Sequence, residues 1–75
     1  MKENKKYSRN IKKLRLAVKY TQAELGSICN KSLVDISRYE NGHVSPSYIT
    51  AKLLYTFAEL YYPGKYKIED FFNLT

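Results

Sequence analysis

Apolar residues near the start of the chain recur at helical spacing. Tyr7, Ile11, Leu14 and Val18 stand 4, 3 and 4 positions apart, with Lys12, Lys13, Arg15 and Lys19 between them. One face of such a helix is apolar and the rest is basic. The spacing predicts a first helix from about Ser8 to Lys19. Thr21 followed by Glu24 is a capping box: the threonine hydroxyl accepts from the backbone N–H three residues on, and the carboxylate accepts from the threonine's own N–H. A short second helix is expected from Gln22, with Ala23, Leu25, Ile28 and Cys29 on its apolar face. Asn30, which tolerates the left-handed conformation, ends it. Ser32 with Asp35 repeats the starting signature, and Ile36 with Tyr39 supplies an inward pair, giving a third helix over about Ser32 to Asn41.

Asn41-Gly42 breaks that helix, and the stretch through His43, Ser45 and Pro46 reads as a loop. Ser47 then caps a fourth helix, expected over residues 47–61, whose periodic run is Tyr48, Ile49, Lys52, Leu53, Tyr55, Thr56, Phe57 and Leu60. Tyr62-Pro63-Gly64-Lys65 is a turn, and the apolar-rich stretch from Ile68 to Phe72 predicts a last turn or two of helix within 68–73. No segment reads as a strand, and there are no repeats. The expected fold is all-α, with four to five helices preceded by a basic arm at residues 1–7.

Seventy-five residues of 8.8 kDa leave room for one small domain. Hydrophobic residues at 44% and charged residues at 27% are ordinary globular values. The apolar runs fall far short of the roughly 20 residues that span a bilayer, and the N-terminus has no signal-peptide centre. A cytoplasmic protein is expected. With Cys29 as the only cysteine and His43 as the only histidine, neither an internal disulfide nor a zinc cluster fits, and no cofactor or metal is expected. Cys29 reads as a small core residue, and His43 as a loop residue able to touch phosphate.

The net charge of +6 is unevenly placed. Residues 1–20 hold eight bases and one acid, and the other 55 hold five bases and six acids. An excess confined to one end suits a polyanion such as nucleic acid or an anionic membrane face, and equally a solvated tail.

The two helices expected at Thr21 and Ser32, joined by a tight turn at Asn30 and Lys31, match a helix-turn-helix, in which the second helix lies in the major groove. Thr21-Gln22-Ala23-Glu24-Leu25, then Ile36-Ser37-Arg38-Tyr39-Glu40-Asn41-Gly42, then Ser45-Pro46-Ser47 resemble the Cro and phage-repressor family, also called the Xre family of transcriptional regulators. The likeness reaches weakly from residue 9 to residue 72. It implies a compact domain like that of the lambda repressor, with a helix-turn-helix over about 21–41. It implies that Gln22 binds a DNA phosphate, that Ser32, Leu33, Val34, Ser37 and Arg38 face base edges, and that Asn41 holds backbone phosphate. Arg15 and Glu40 match an internal ion pair between the first and third helices.

Chemistry gives these positions content. The planar fork of Arg38 can bond guanine O6 and N7 together, whereas Leu33 and Val34 can report only thymine methyl groups. Leu33 lies three residues before Ile36, so it turns either to DNA or into the core. Asp35 reads as a helix-start residue more than a cytosine reader. Lys12, Lys13 and Lys31 are expected to contact phosphate without regard to sequence. Three residues depart from the family pattern: Lys31 stands where a small or apolar residue is usual, Asn30 where glycine is usual, and Gly26 where alanine is usual. The last should weaken the second helix by up to about 1 kcal/mol.

Eight tyrosines and three phenylalanines are more than so short a chain can bury, so the fourth helix and the C-terminal segment are expected to join two copies. The expected partner is double-stranded DNA with a pseudo-palindromic operator, and no membrane or small-molecule ligand. A protein-interaction module on the same fold, such as an antitoxin or coactivator-like adaptor, is the alternative. A basic membrane-surface peptide is a weaker one. Nothing suggests an enzyme.

Overall fold

The computed structural model describes residues 5–73 and contains, among them, four α-helices and a single turn of 3₁₀ helix, with no strand. The helices are α1 (Lys6–Ala17), α2 (Gln22–Ile28), α3 (Leu33–Glu40) and α4 (Tyr48–Tyr61); the 3₁₀ turn is Ile68–Phe71.

Helix α1 begins earlier than its periodicity suggests because Tyr7 is already a core residue. Lys6 and Tyr7, expected in the arm, therefore form its first turn, and residues 1–4 of that arm lie outside the described residues. It also ends earlier, at Ala17. Lys19 takes a left-handed conformation with φ 63°, and its N–H bonds the Leu16 carbonyl at 3.1 Å while the Tyr20 N–H bonds that of Arg15 at 3.0 Å. This pairing satisfies the last carbonyls of the helix.

Both expected capping boxes form. Thr21 Oγ1 accepts from the Glu24 N–H at 3.1 Å and the Thr21 N–H donates to Glu24 Oε1 at 2.8 Å. At α3, Ser32 Oγ accepts from the Asp35 N–H at 3.2 Å, and both the N–H and the hydroxyl of Ser32 donate to Asp35 Oδ2. The backbone N–H of Ser32, and then its hydroxyl, hold the Asp35 carboxyl below its usual range. Asp35 is thus the starting residue of α3.

The faces of two helices differ from expectation. Of the residues expected on the apolar face of α2, Leu25 and the C-cap Cys29 reach the core, while Ala23 and Ile28 are exposed. Residues 25 and 29 lie one turn apart, and a two-turn helix has no room for a wider stripe. Burial pushes the Cys29 thiol up to about 11. In α4 the buried residues are Thr50, Ala51, Leu54, Phe57 and Ala58, whereas Tyr48, Ile49, Leu53 and Leu60 face solvent. Small Ala51 and Ala58 let the backbone approach the core closely, and the larger apolar residues are left outside.

Gly26 has a reason to be glycine. After Asn30 turns left-handed at φ 60°, the chain folds back so that the Lys31 N–H bonds the Gly26 carbonyl at 2.8 Å, and a Cβ on Gly26 would collide with the Lys31 carbonyl oxygen. Gly26→Ala gains about 1 kcal/mol of helix propensity, but the backbone of the turn must move, at a cost of about 1–3 kcal/mol. The expected result is a lower urea midpoint; an equal or higher one would contradict the close approach.

The 3₁₀ turn closes the core. Phe71 is fully buried among α1 and α4 residues in one cluster with Ile11, Leu14, Leu25, Ile36 and Leu54. Polar contacts hold it there: Asn10 Nδ2 donates to the Asp70 carbonyl at 2.9 Å, Lys6 pairs with Asp70 at 3.5 Å, and the Asn73 N–H donates to Ser45 Oγ at 2.8 Å.

Candidate nucleic-acid interface

Helix α3 turns Ile36 and Tyr39 inward. Val34, Ser37, Arg38 and Asn41 follow one another at helical spacing on the opposite side, and Val34, Arg38 and Asn41 are exposed while Ser37 is half-buried. Leu33 does not enter the core: it is 52% exposed beside Val34 at 56%. The helix therefore presents an apolar pair at its start and a guanidinium one turn on. The Arg38 side chain makes no hydrogen bond among the described residues, although its charge lowers the Asp35 carboxyl. Asn41 Nδ2 donates to Ser37 Oγ at 3.3 Å, which leaves the serine hydrogen available. Ser32 differs, because its hydrogen is committed to Asp35; it can offer a base only a lone pair.

The residues expected at phosphates are distributed around this helix. Lys31 is half-buried at the turn before α3, near enough to Asp35 for its charge to act there. His43 is exposed in the following loop, where its N–H bonds the Arg38 carbonyl at 2.9 Å. Lys12 and Lys13 are both exposed but, as neighbours in a helix, project about 100° apart. Lys12 shares the flank from which Arg15 reaches α3, and Lys13 lies on the other side, so the structure does not bring the two together.

Three helices meet at a polar junction behind this surface. Arg15 Nε donates to Glu40 Oε2 at 2.5 Å and Nη2 to Oε1 at 3.1 Å, while Nη1 donates to the Tyr20 carbonyl at 2.9 Å. The two side chains are 13% and 4% exposed. Gln22, the first residue of α2, joins them through Nε2, which donates to Glu40 Oε1 at 3.1 Å. Its side chain is thus tied to α3 and not loose in solvent.

Sequence reasoning did not single out Lys5. Its side chain lies over Gly42, with Cδ 2.9 Å from the place of a glycine Cβ, so a base from the N-terminus crosses the turn beside Asn41 and His43. The left-handed Gly42, φ 74°, was the signal available, because that bare turn leaves room for a neighbour.

Two short helices with capping boxes, set by a tight left-handed turn and exposing the outer face of the second, define a helix-turn-helix. A family model described as helix-turn-helix matches residues 11–54, more than half of the chain. The chain belongs to this family, the Cro/Xre-like helix-turn-helix regulators, whose members bind DNA. Comparison with curated proteins and with solved structures gave no match. Among the described residues, no helix is long and apolar enough to cross a membrane, and no cluster of three His, Cys, Asp or Glu could hold a metal ion.

Proposed function

We propose that the protein is a cytoplasmic Cro-like repressor that reads the major groove of double-stranded DNA with α3. The observation that carries this reading is the outer face of α3, where Leu33, Val34 and Arg38 stand exposed together on a helix whose diameter of about 10–12 Å matches a groove about 12 Å wide. Arg38 reads guanine, Leu33 and Val34 read thymine methyls, and Ser37 and Ser32 contribute polar contacts. Gln22, Lys31, Asn41, Lys12 and His43 hold phosphate around that helix, with Lys5 beside Asn41, and Lys13 adds charge from the far flank of α1.

The protein acts as a symmetric homodimer on a pseudo-palindromic operator. Support comes from α4, where Ile49, Leu53 and Leu60 form an exposed aliphatic stripe, Ile49 and Leu60 at 72% and 77%. The C-terminal segment contributes less than its aromatic content suggests, because Phe71 is internal and Phe72 packs edge-on against Tyr48. A pseudo-palindromic operator calls for the two α3 helices to lie about one DNA turn apart, roughly 34–36 Å, and the chain's 34 × 28 × 20 Å is of that order.

Selection from a random duplex pool, followed by a salt titration on the selected site, tests this reading. The expected sites are inverted repeats with half-sites about 10 base pairs apart. Log affinity should fall with log salt by about 0.9 per neutralised phosphate. An unenriched pool and a flat titration would instead favour the protein-interaction module, for which the exposed α4 stripe is the docking face.

A further inference from the structure

We propose that Glu40 is a positioning residue for DNA binding: it orients the Gln22 amide so that one N–H points outward to a phosphate. The proposal rests on the DNA-binding reading, and it assigns work to a carboxylate that touches no DNA.

Gln22 Nε2 carries two hydrogens, and one is directed at Glu40 Oε1, 3.1 Å away. The second has no partner among the described residues. An ionised carboxylate only accepts, so the amide can face it in one sense. The flipped amide would set its own oxygen against Oε1.

The Glu40 side chain is itself buried and held from two sides. Arg15 grips both of its oxygens and is anchored in turn to the Tyr20 carbonyl. The orientation of Gln22 is therefore inherited from α1 through the end of α3. Because the Arg15 charge balances that of Glu40, the junction holds the amide without placing net negative charge near the DNA backbone. A donor fixed before encounter loses less conformational freedom when it binds than a loose glutamine does.

A double-mutant cycle on a random-sequence duplex at one salt concentration tests the link. Gln22→Ala should weaken binding about tenfold and leave the salt slope unchanged, since glutamine releases no counterion. Arg15→Met with Glu40→Leu keeps net charge and volume while removing the anchor. It should also weaken binding several-fold, and adding Gln22→Ala should then cost only the remainder, so that the combined variant loses about as much as Gln22→Ala alone. Additive losses, or no loss from the anchor variant, would overturn the proposal. A wild type that binds with no salt dependence would overturn the DNA reading instead.

Should the anchor variant unfold, the side-chain amide of Gln22 can be followed by NMR in the wild type. Its two Nε2 protons are expected away from the shifts of a free glutamine, and only one of them should move when duplex is added. Both protons at the shifts of a free glutamine, or both moving alike on addition of duplex, would overturn the proposal.

Discussion

Phe71→Ala should lower the unfolding free energy by about 3–5 kcal/mol, the range for emptying a phenylalanine site in a packed core. Phe71 is fully buried and is the largest such side chain among the described residues. Its ring meets Tyr66 at 5.2 Å between centroids, and the turn that carries it packs on both α1 and α4. A chain of this size sits toward the lower end of the roughly 5–15 kcal/mol typical of domains, so the variant should be substantially unfolded at room temperature. Urea denaturation followed by circular dichroism measures the loss. Phe72→Ala, at a partly exposed ring, is the control and should cost far less. A loss below about 1 kcal/mol for Phe71→Ala would detach the C-terminal turn from the fold. The consequence reaches the interface, because that turn fixes α1 through Asn10 and Lys6, and α1 fixes α3 through Arg15 and Glu40.

Local chemistry made much of this fold readable from sequence. Thr21, Ser32 and Ser47 each cap a helix by accepting from the N–H three residues on, and an interaction of that range leaves a fixed spacing. Asn30 marks its turn because few residues are comfortable there. Lys19 adopts the same conformation with no such mark, since tertiary packing of Tyr20 against Phe57 helps place it, and so the end of α1 was not legible. The buried side of α4 was obscured for another reason. Large apolar residues lie around most of its circumference, and only the neighbouring helices decide that Ala51 and Ala58 go inward while Ile49 and Leu60 do not. At the interface, the exposed side of α3 follows from Ile36 and Tyr39 alone. The tie between Gln22 and Glu40 does not, because it joins residues 18 positions apart.

Arg38→Ala should abolish preference for the selected site while leaving the melting midpoint nearly unchanged. The side chain is exposed and forms no internal hydrogen bond, so folding loses little when it is removed. On DNA the expected loss is larger, because a bidentate contact to guanine discriminates by about 1–3 kcal/mol, and the proposed symmetric dimer would make it in both half-sites. Discrimination against a random duplex should therefore fall by roughly 30-fold or more, with only a modest drop in random-duplex affinity from one lost charge per protomer. Arg38→Lys separates charge from geometry. Lysine keeps the positive charge but lacks the planar fork, so it should restore affinity for random duplex without restoring the choice of guanine. Replacing that guanine by 7-deazaguanine, which removes N7, should weaken the wild type and leave Arg38→Ala indifferent. Equal discrimination by wild type and Arg38→Ala would move base reading away from this position and leave the methyl contacts of Leu33 and Val34 to supply it.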